Sequence, residues 1–121
     1  MIVLDTNIFI YLSKGTLTRS LIANTDIAHA SITKIEALGF SSMPAQELLL
    51  LGALFNESYS LGLTDAVVDR AIILRQSKRM SLGDSIIAAT ALENHLVLWT
   101  ANAEAFAHID ELGMVNPLGK R

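Results

Sequence analysis

Ile2-Val3-Leu4-Asp5-Thr6-Asn7 is the stretch that decides the fold. Ile2, Val3 and Leu4 form an unbroken, branched apolar run, the pattern of a strand buried on both faces. The run breaks off into a carboxylate, a hydroxyl and an amide, and a second apolar run, Ile8-Phe9-Ile10-Tyr11-Leu12, follows at once. A buried strand therefore delivers three polar groups to its carboxyl end, where open α/β folds bind ligands. Asp5 and Asn7 also suit a plainer role, as caps on the backbone N–H groups of the next helix.

Working outward, Ile8 to Lys14 reads as a short helix stopped at Gly15. Thr16 or Thr18 is placed to cap a second helix with Leu17, Leu21 and Ile22 on one face. Ile27 to Ser31 reads as a second strand, and Thr33-Lys34-Ile35-Glu36 opens a helix ending near Gly39. Pro44 suits the first turn of the following helix, which carries the run Leu48 to Phe55 and ends near Asn56. Tyr59-Ser60-Leu61 is a weak strand. Thr64 starts a helix with Val67, Val68, Ala71, Ile72 and Leu74 on one face. Its basic end, Arg75, Lys78 and Arg79, suits the negative end of the helix dipole. Ser81 to Asn94 is the clearest helix, with Ile87, Ala88, Ala91 and Leu92 facing inward. Leu96 to Thr100 is a second strong buried strand, Ala103 to His108 a short helix, and Met114-Val115-Asn116 an edge strand ended by Pro117. Short apolar strands alternating with longer helical periods predict a three-layer α/β fold, in one domain over residues 1–121.

Composition narrows the setting. Hydrophobic residues make up 51% of the chain, and mean hydropathy is +0.43. No apolar run approaches the roughly 20 residues that cross a bilayer, so the excess predicts a filled core plus a buried partner interface. Ile8 to Leu12 and Leu48 to Phe55 are the candidate interface stretches. No basic segment precedes the first apolar run, so no secretory signal is expected. There are no cysteines, which excludes a disulfide framework and thiolate chemistry and fits a cytoplasmic setting. The net charge of −3 means that nucleic acid would have to be met by a local basic patch.

Three carboxylates adjoin strong elements: Asp5 after the first strand, Glu36 in the third helix, and Asp84 at the head of the clearest helix. With the first strand central, all three can converge above its carboxyl end. Clustered buried carboxylates are costly and call for a cation. Hard oxygen donors without cysteine or a placed histidine favour Mg²⁺ or Mn²⁺ over Zn²⁺, and such ions suit phosphodiester hydrolysis. A competing reading stands beside this one. Thr33 to Glu36 and Ser81 to Asp84 both have capping-box spacing, so each acid can simply tie down its own helix.

Four stretches in order resemble the PIN domain family, specifically its small VapC-type toxins of type II toxin–antitoxin pairs. They are Ile2 to Asn7, Ser31 to Gly39, Leu82 to Ala91, and Leu98-Trp99-Thr100-Ala101-Asn102-Ala103-Glu104-Ala105-Phe106. The resemblance implies a central, mainly parallel sheet between helices and a divalent-metal ribonuclease site, with Mg²⁺ or Mn²⁺ as cofactor. It assigns Asp5, Glu36 and Asp84 as acidic ligands, with Thr6, Asn7 and Thr100 supporting them. Many relatives carry Asp just before the Phe of the last motif, where this chain has Ala105. Others carry it two residues after the Thr, where this chain has Asn102. Glu104 is the acid left to reach in.

The implied function is an endoribonuclease toxin leaving 5′-phosphate and 3′-hydroxyl ends, with an RNA substrate, a cognate antitoxin and a homodimer or hetero-oligomer as its associations. Lys14, Lys34, Arg75, Lys78 and Arg79 are candidate RNA-backbone contacts, each of which also reads as an ordinary solvated charge. His29, His95 and His108 are not needed, and His29 reads as a packed residue. Two rivals remain. Ala105 and Asn102 motivate a degenerate PIN module that binds RNA or a protein without cutting. A receiver-like phosphotransfer domain would need an early acidic pair and a mid-chain strand ending in Asp, and this chain has neither.

Overall fold

The computed structural model describes residues 1–40 and 42–119. Among them the order is β1 (Ile2–Leu4), α1 (Thr6–Lys14), a 3-10 turn (Arg19–Ile22), β2 (Ile27–Ala30), α2 (Ser31–Leu38), α3 (Ala45–Glu57), β3 (Tyr59–Leu61), α4 (Asp65–Ser77), α5 (Leu82–Glu93), β4 (Val97–Trp99), a second 3-10 turn (Ala103–Phe106) and β5 (Met114–Val115). The strands form one sheet in the order β3-β2-β1-β4-β5, and every neighbouring pair is parallel. β1 is central: Ile2 lies between Ile27 and Val97, and Leu4 pairs with Trp99. The three-layer α/β expectation is met.

Alternation along the strands divides the core between two faces. Val3, Ala30 and Leu98 pack with Val67, Ala71 and Leu74 of α4 and with Ile87, Ala88 and Ala91 of α5. Leu4 and Ile27 pack on the other face with Ile8, Phe9 and Leu12 of α1 and Leu51, Leu54 and Phe55 of α3. Each fully buried side chain of this size stabilises the fold by about 1.5–3 kcal/mol. The alanines of α5 let the helix lie close against the sheet. His29 is buried in the second cluster, edge-on to Phe9 and Phe55, with Nδ1 2.7 Å from Ser58 Oγ. That is the packed role its apolar surroundings predict.

Several local expectations shift. The second helix is only a 3-10 turn, and its Thr18 hydroxyl meets Ser20 Oγ at 2.8 Å instead of capping the backbone. α1 starts at Thr6 rather than Ile8, with Asp5 as its N-cap, and stops at Gly15, whose φ of 82° favours glycine. Thr64 caps α4 by accepting the Val67 N–H at 3.2 Å. On α4, however, Val67, Ala71 and Leu74 are buried while Val68 and Ile72 face solvent. The helix is apolar on more than one face, so its contact with α5 picks the stripe that packs. Among the described residues no helix is long and apolar enough to cross a membrane.

The sheet order reverses direction at β1. The chain leaves β1 towards β2 and β3 and returns on its other side through β4 and β5. β1 and β4 stay paired to their ends. α1, after β1, packs on one face of the sheet and the segment with Phe106, after β4, on the other, which leaves a crevice at this switch point.

Candidate active site

Asp5 sits at the mouth of that crevice because β1 ends there. Its own N–H donates to Trp99 O at 2.9 Å, continuing the β1–β4 ladder by one residue. Its carboxylate is only 6% exposed. Oδ1 accepts the Thr6 N–H at 2.8 Å, and Oδ2 accepts the Thr100 hydroxyl at 2.7 Å. Thr100 Oγ1 in turn accepts the Asn102 N–H at 3.0 Å, which fixes the loop leaving β4. Asp5 thus caps α1 and presents a carboxylate to the crevice at once, so its two sequence readings are compatible.

Glu36 arrives from α2. Its Oε1 accepts the Thr6 hydroxyl at 2.7 Å. The capping reading of Thr33 and Glu36 fails. α2 starts at Ser31, its cap residue Ala30 has no side chain to bond with, and Thr33 lies inside the first turn. The Thr33 side chain is buried, with its hydroxyl 3.4 Å from Thr6 Oγ1. Asp84 lies in the first turn of α5, and there the capping reading holds for the hydroxyl: Ser81 Oγ accepts the Asp84 N–H at 3.0 Å. That cap fixes the backbone from which the Asp84 carboxylate projects.

Asp5, Thr6, Asn7, Glu36, Asp84 and Asn102 line one cleft of about 310 Å³, together with Ile10 and Phe40. Burial pushes the Asp5 carboxyl above its ordinary value, against the pull of its bonds from Thr100 and the Thr6 N–H, and the charges of Asp84 and Glu36 push it further. Asp5 therefore feels the charges of the other two acids. Among the described residues, no three acidic or histidine side chains are drawn tightly enough together to enclose an ion as they lie. Thr6 holds the Glu36 carboxylate in its present orientation. The donors themselves, all carboxylate, hydroxyl and amide oxygens, match the preference of Mg²⁺ or Mn²⁺. α5 makes room for them: a Cβ on Gly83 would stand 2.6 Å from Glu36 Oε2.

The remaining candidates separate. Glu104 is exposed and does not line the cleft, and Ala105 packs against the α4–α5 core. Lys14 is bound to Glu47 at 3.0 Å, across α1 and α3, so it belongs to a surface ion pair. Arg75 Nε donates to Met80 O at 3.3 Å, folding over the loop that enters α5. Lys34 lies in a groove of about 770 Å³ beside Leu38, Leu48, Leu49 and Leu50. Lys78 and Arg79 make no ion pair among the described residues. Sequence reasoning overlooked Ile10 and Phe40 as lining residues and read Thr33 as a cap rather than as a neighbour of Thr6. The spacing of three between Thr33 and Glu36 also puts both on one face of α2, whereas nothing local marks Phe40.

Similar structures share this architecture. A toxin–antitoxin complex from Klebsiella pneumoniae contains a chain 29% identical, with a TM-score of 0.76 over 97% of this chain and 98% of that one. VapBC-1 from nontypeable Haemophilus influenzae contains one 26% identical, with a TM-score of 0.76 over 98% and 99%. VapBC2 from Rickettsia felis, bound to a DNA fragment from its promoter, matches at 24% identity and a TM-score of 0.79 over 96% and 98%, and bears on the fold alone. Among curated proteins none matches the chain. The model of the PIN domain matches residues 2–112, and with nearly the whole length covered, the chain belongs to the PIN domain family.

Proposed function

We propose that this chain is a divalent-metal-dependent endoribonuclease, the toxin of a toxin–antitoxin pair. The observation that carries the reading is the convergence of Asp5, Glu36 and Asp84 on one cleft at the switch point of the sheet. These three would hold Mg²⁺ or Mn²⁺, directly or through water. The ion, when bound, supplies neutralisation of phosphate charge and a more acidic water. The residues of the chain supply the rest. Thr100 and the Thr6 N–H orient Asp5 and oppose the upward push that burial gives its carboxyl. Thr6 and Thr33 position Glu36. Asn7 at the cleft wall and the positive end of the α1 dipole favour a phosphate there. Lys34, Arg75, Lys78 and Arg79 remain candidate RNA contacts, to be read by a salt-dependent affinity.

The antitoxin partner is supported by the similar complexes and by exposed leucines. Leu48, Leu49 and Leu50 are exposed along the α3 groove, Leu49 to 75%, whereas Ile8, Phe9 and Leu12 of the other candidate stretch are core. A single domain acting in the cytoplasm, as a homodimer or in a complex with its antitoxin, completes the proposal.

A second reading, a module that binds without cutting, is favoured by the neutral Asn102 in the cleft. The test is incubation with a structured RNA pool in Mg²⁺, Mn²⁺ or chelator, alongside Asp5→Asn and Asp84→Asn. Chelator-sensitive cutting lost in both variants supports the nuclease. Cutting retained by both overturns the catalytic assignment, and RNA binding without cutting by the wild type supports the second reading.

A further inference from the structure

Resting on the proposal that the acidic cleft acts on RNA, we propose that Phe40 is its base-stacking residue, so that the RNA it takes carries an unpaired base beside the phosphate at the acids. Phe40 lines the cleft with Asp5, Glu36 and Asp84. It is 54% exposed and belongs to neither core cluster. Its place follows from the way α2 ends. Gly39, the C-cap, keeps a right-handed conformation, with φ of −81° and ψ of −2°. Its N–H donates to Ile35 O at 2.9 Å, and the Phe40 N–H to Ala37 O at 3.4 Å. The helical path therefore runs on to Phe40, four residues past Glu36 and on the same side. Ile10 reaches the cleft from α1, one turn after Thr6 and Asn7. Two apolar side chains thus border three carboxylates.

Charge selects the occupant. Among the described residues no lysine or arginine lines this cleft. Its acids repel any phosphate that a cation does not cover. A nucleobase is uncharged and has a flat π-face, so it gains against an exposed phenyl ring where a phosphate loses. Bases inside an A-form duplex are already stacked and out of reach of such a ring. The base that Phe40 takes therefore belongs to a loop, a bulge or a single strand. Stacking reads a face rather than a pattern of donors and acceptors, so Phe40 selects unpaired nucleotides without naming a sequence.

The experiment photocrosslinks the full chain, in Mg²⁺, to a structured RNA pool carrying 5-iodouridine and maps the joined residue by mass spectrometry. Affinities for that pool and for a fully paired RNA are measured for wild type, Phe40→Leu and Phe40→Trp, with folding checked by thermal melting. Wild type should crosslink at Phe40 and prefer the pool to the duplex roughly tenfold. Phe40→Leu keeps the apolar bulk without the ring, and should lose the crosslink and about tenfold in affinity. Phe40→Trp should restore both. Where RNA is cut, the loss should appear in KM rather than kcat. Equal pool affinity of wild type and folded Phe40→Leu, or crosslinks only at other residues, overturns the inference while cleavage still stands, and leaves a protein segment as the occupant of Phe40. RNA bound and crosslinked at Phe40 but never cut supports the inference and overturns the nuclease. No RNA bound by folded wild type overturns both. The wild-type crosslink decides the matter even where Phe40→Leu fails to fold.

Discussion

The Thr100 hydroxyl donates to Asp5 Oδ2 at 2.7 Å, joining the end of β4 to the end of β1 across 95 residues of chain. Both groups are buried, so the bond carries weight in two ways. It satisfies a desolvated carboxylate oxygen, and it opposes the upward push that burial gives the Asp5 carboxyl. Thr100→Val removes it and also strands the Asn102 N–H. The expected loss is about 1–3 kcal/mol of stability, read by chemical denaturation. Under the proposed metal role of Asp5 its carboxyl must be ionised to bind, so the pH midpoint of Mn²⁺ binding should move upward in the variant. An unmoved midpoint would remove Thr100 from the support of Asp5.

Gly83 separates stability from function. A Cβ there meets Glu36 Oε2, the free end of a flexible side chain, so the carboxylate gives way rather than the fold. Gly83→Ala should gain about 0.5–1 kcal/mol from the helix while weakening Mn²⁺ binding by roughly tenfold. Thermal melting with chelator and a Mn²⁺ titration measure the two effects. Lost stability with intact affinity would contradict the account.

His29 sets an acid limit on the fold. Burial, and then the Lys34 charge, lower its pKa below the ordinary 6.5, and Nε2 has no partner among the described residues. The unfolded chain protonates near that ordinary value and the folded chain resists. Below about pH 6.5 the unfolded state therefore binds more protons, and stability falls with falling pH until the folded pKa is reached. No such penalty operates above that window. Urea midpoints at pH 7.5 and 5.5 should differ in the wild type and converge in His29→Gln. Asp5, with its raised pKa, acts in the opposite sense nearer pH 4, so the difference between proteins isolates His29.

His95 holds φ at 56° just past the end of α5, with its N–H on Leu92 O and the Leu96 N–H on Ala91 O. This is a position that favours glycine, occupied here by a residue with a Cβ and an imidazole ring. His95→Gly should raise stability by about 1 kcal/mol, seen as an upward shift of the melting temperature.

The strand-and-site end of this molecule was plain in the sequence because burial and chemistry change abruptly there. Ile2 to Leu4 can only be a two-faced strand, and Asp5 has nowhere to go but its end. Asp84 was placed equally well, because Ser81 starts α5 where its spacing says. Thr33 misled because a hydroxyl three residues before an acid looks the same at a cap and inside a first turn. The start of α2 is set by where β2 ends, at Ala30, which carries no side-chain signal. α4 misled through excess, since apolar residues on several faces leave periodicity unable to name the packed stripe. Lys14 could not be read as paired, because Glu47 lies 33 residues away.

The position of β1 in the middle of the sheet also imposes a timetable. β1 finds β2 once residues near Ile27 have been made, but its other neighbour begins only at Val97. At synthesis rates of about 5–20 residues per second, the growing chain carries the most apolar strand with one edge open for on the order of ten seconds. Asp5 meets Thr100 only after that. The nascent protein can be well advanced in folding and still have no assembled cleft, which waits for the residues around Thr100.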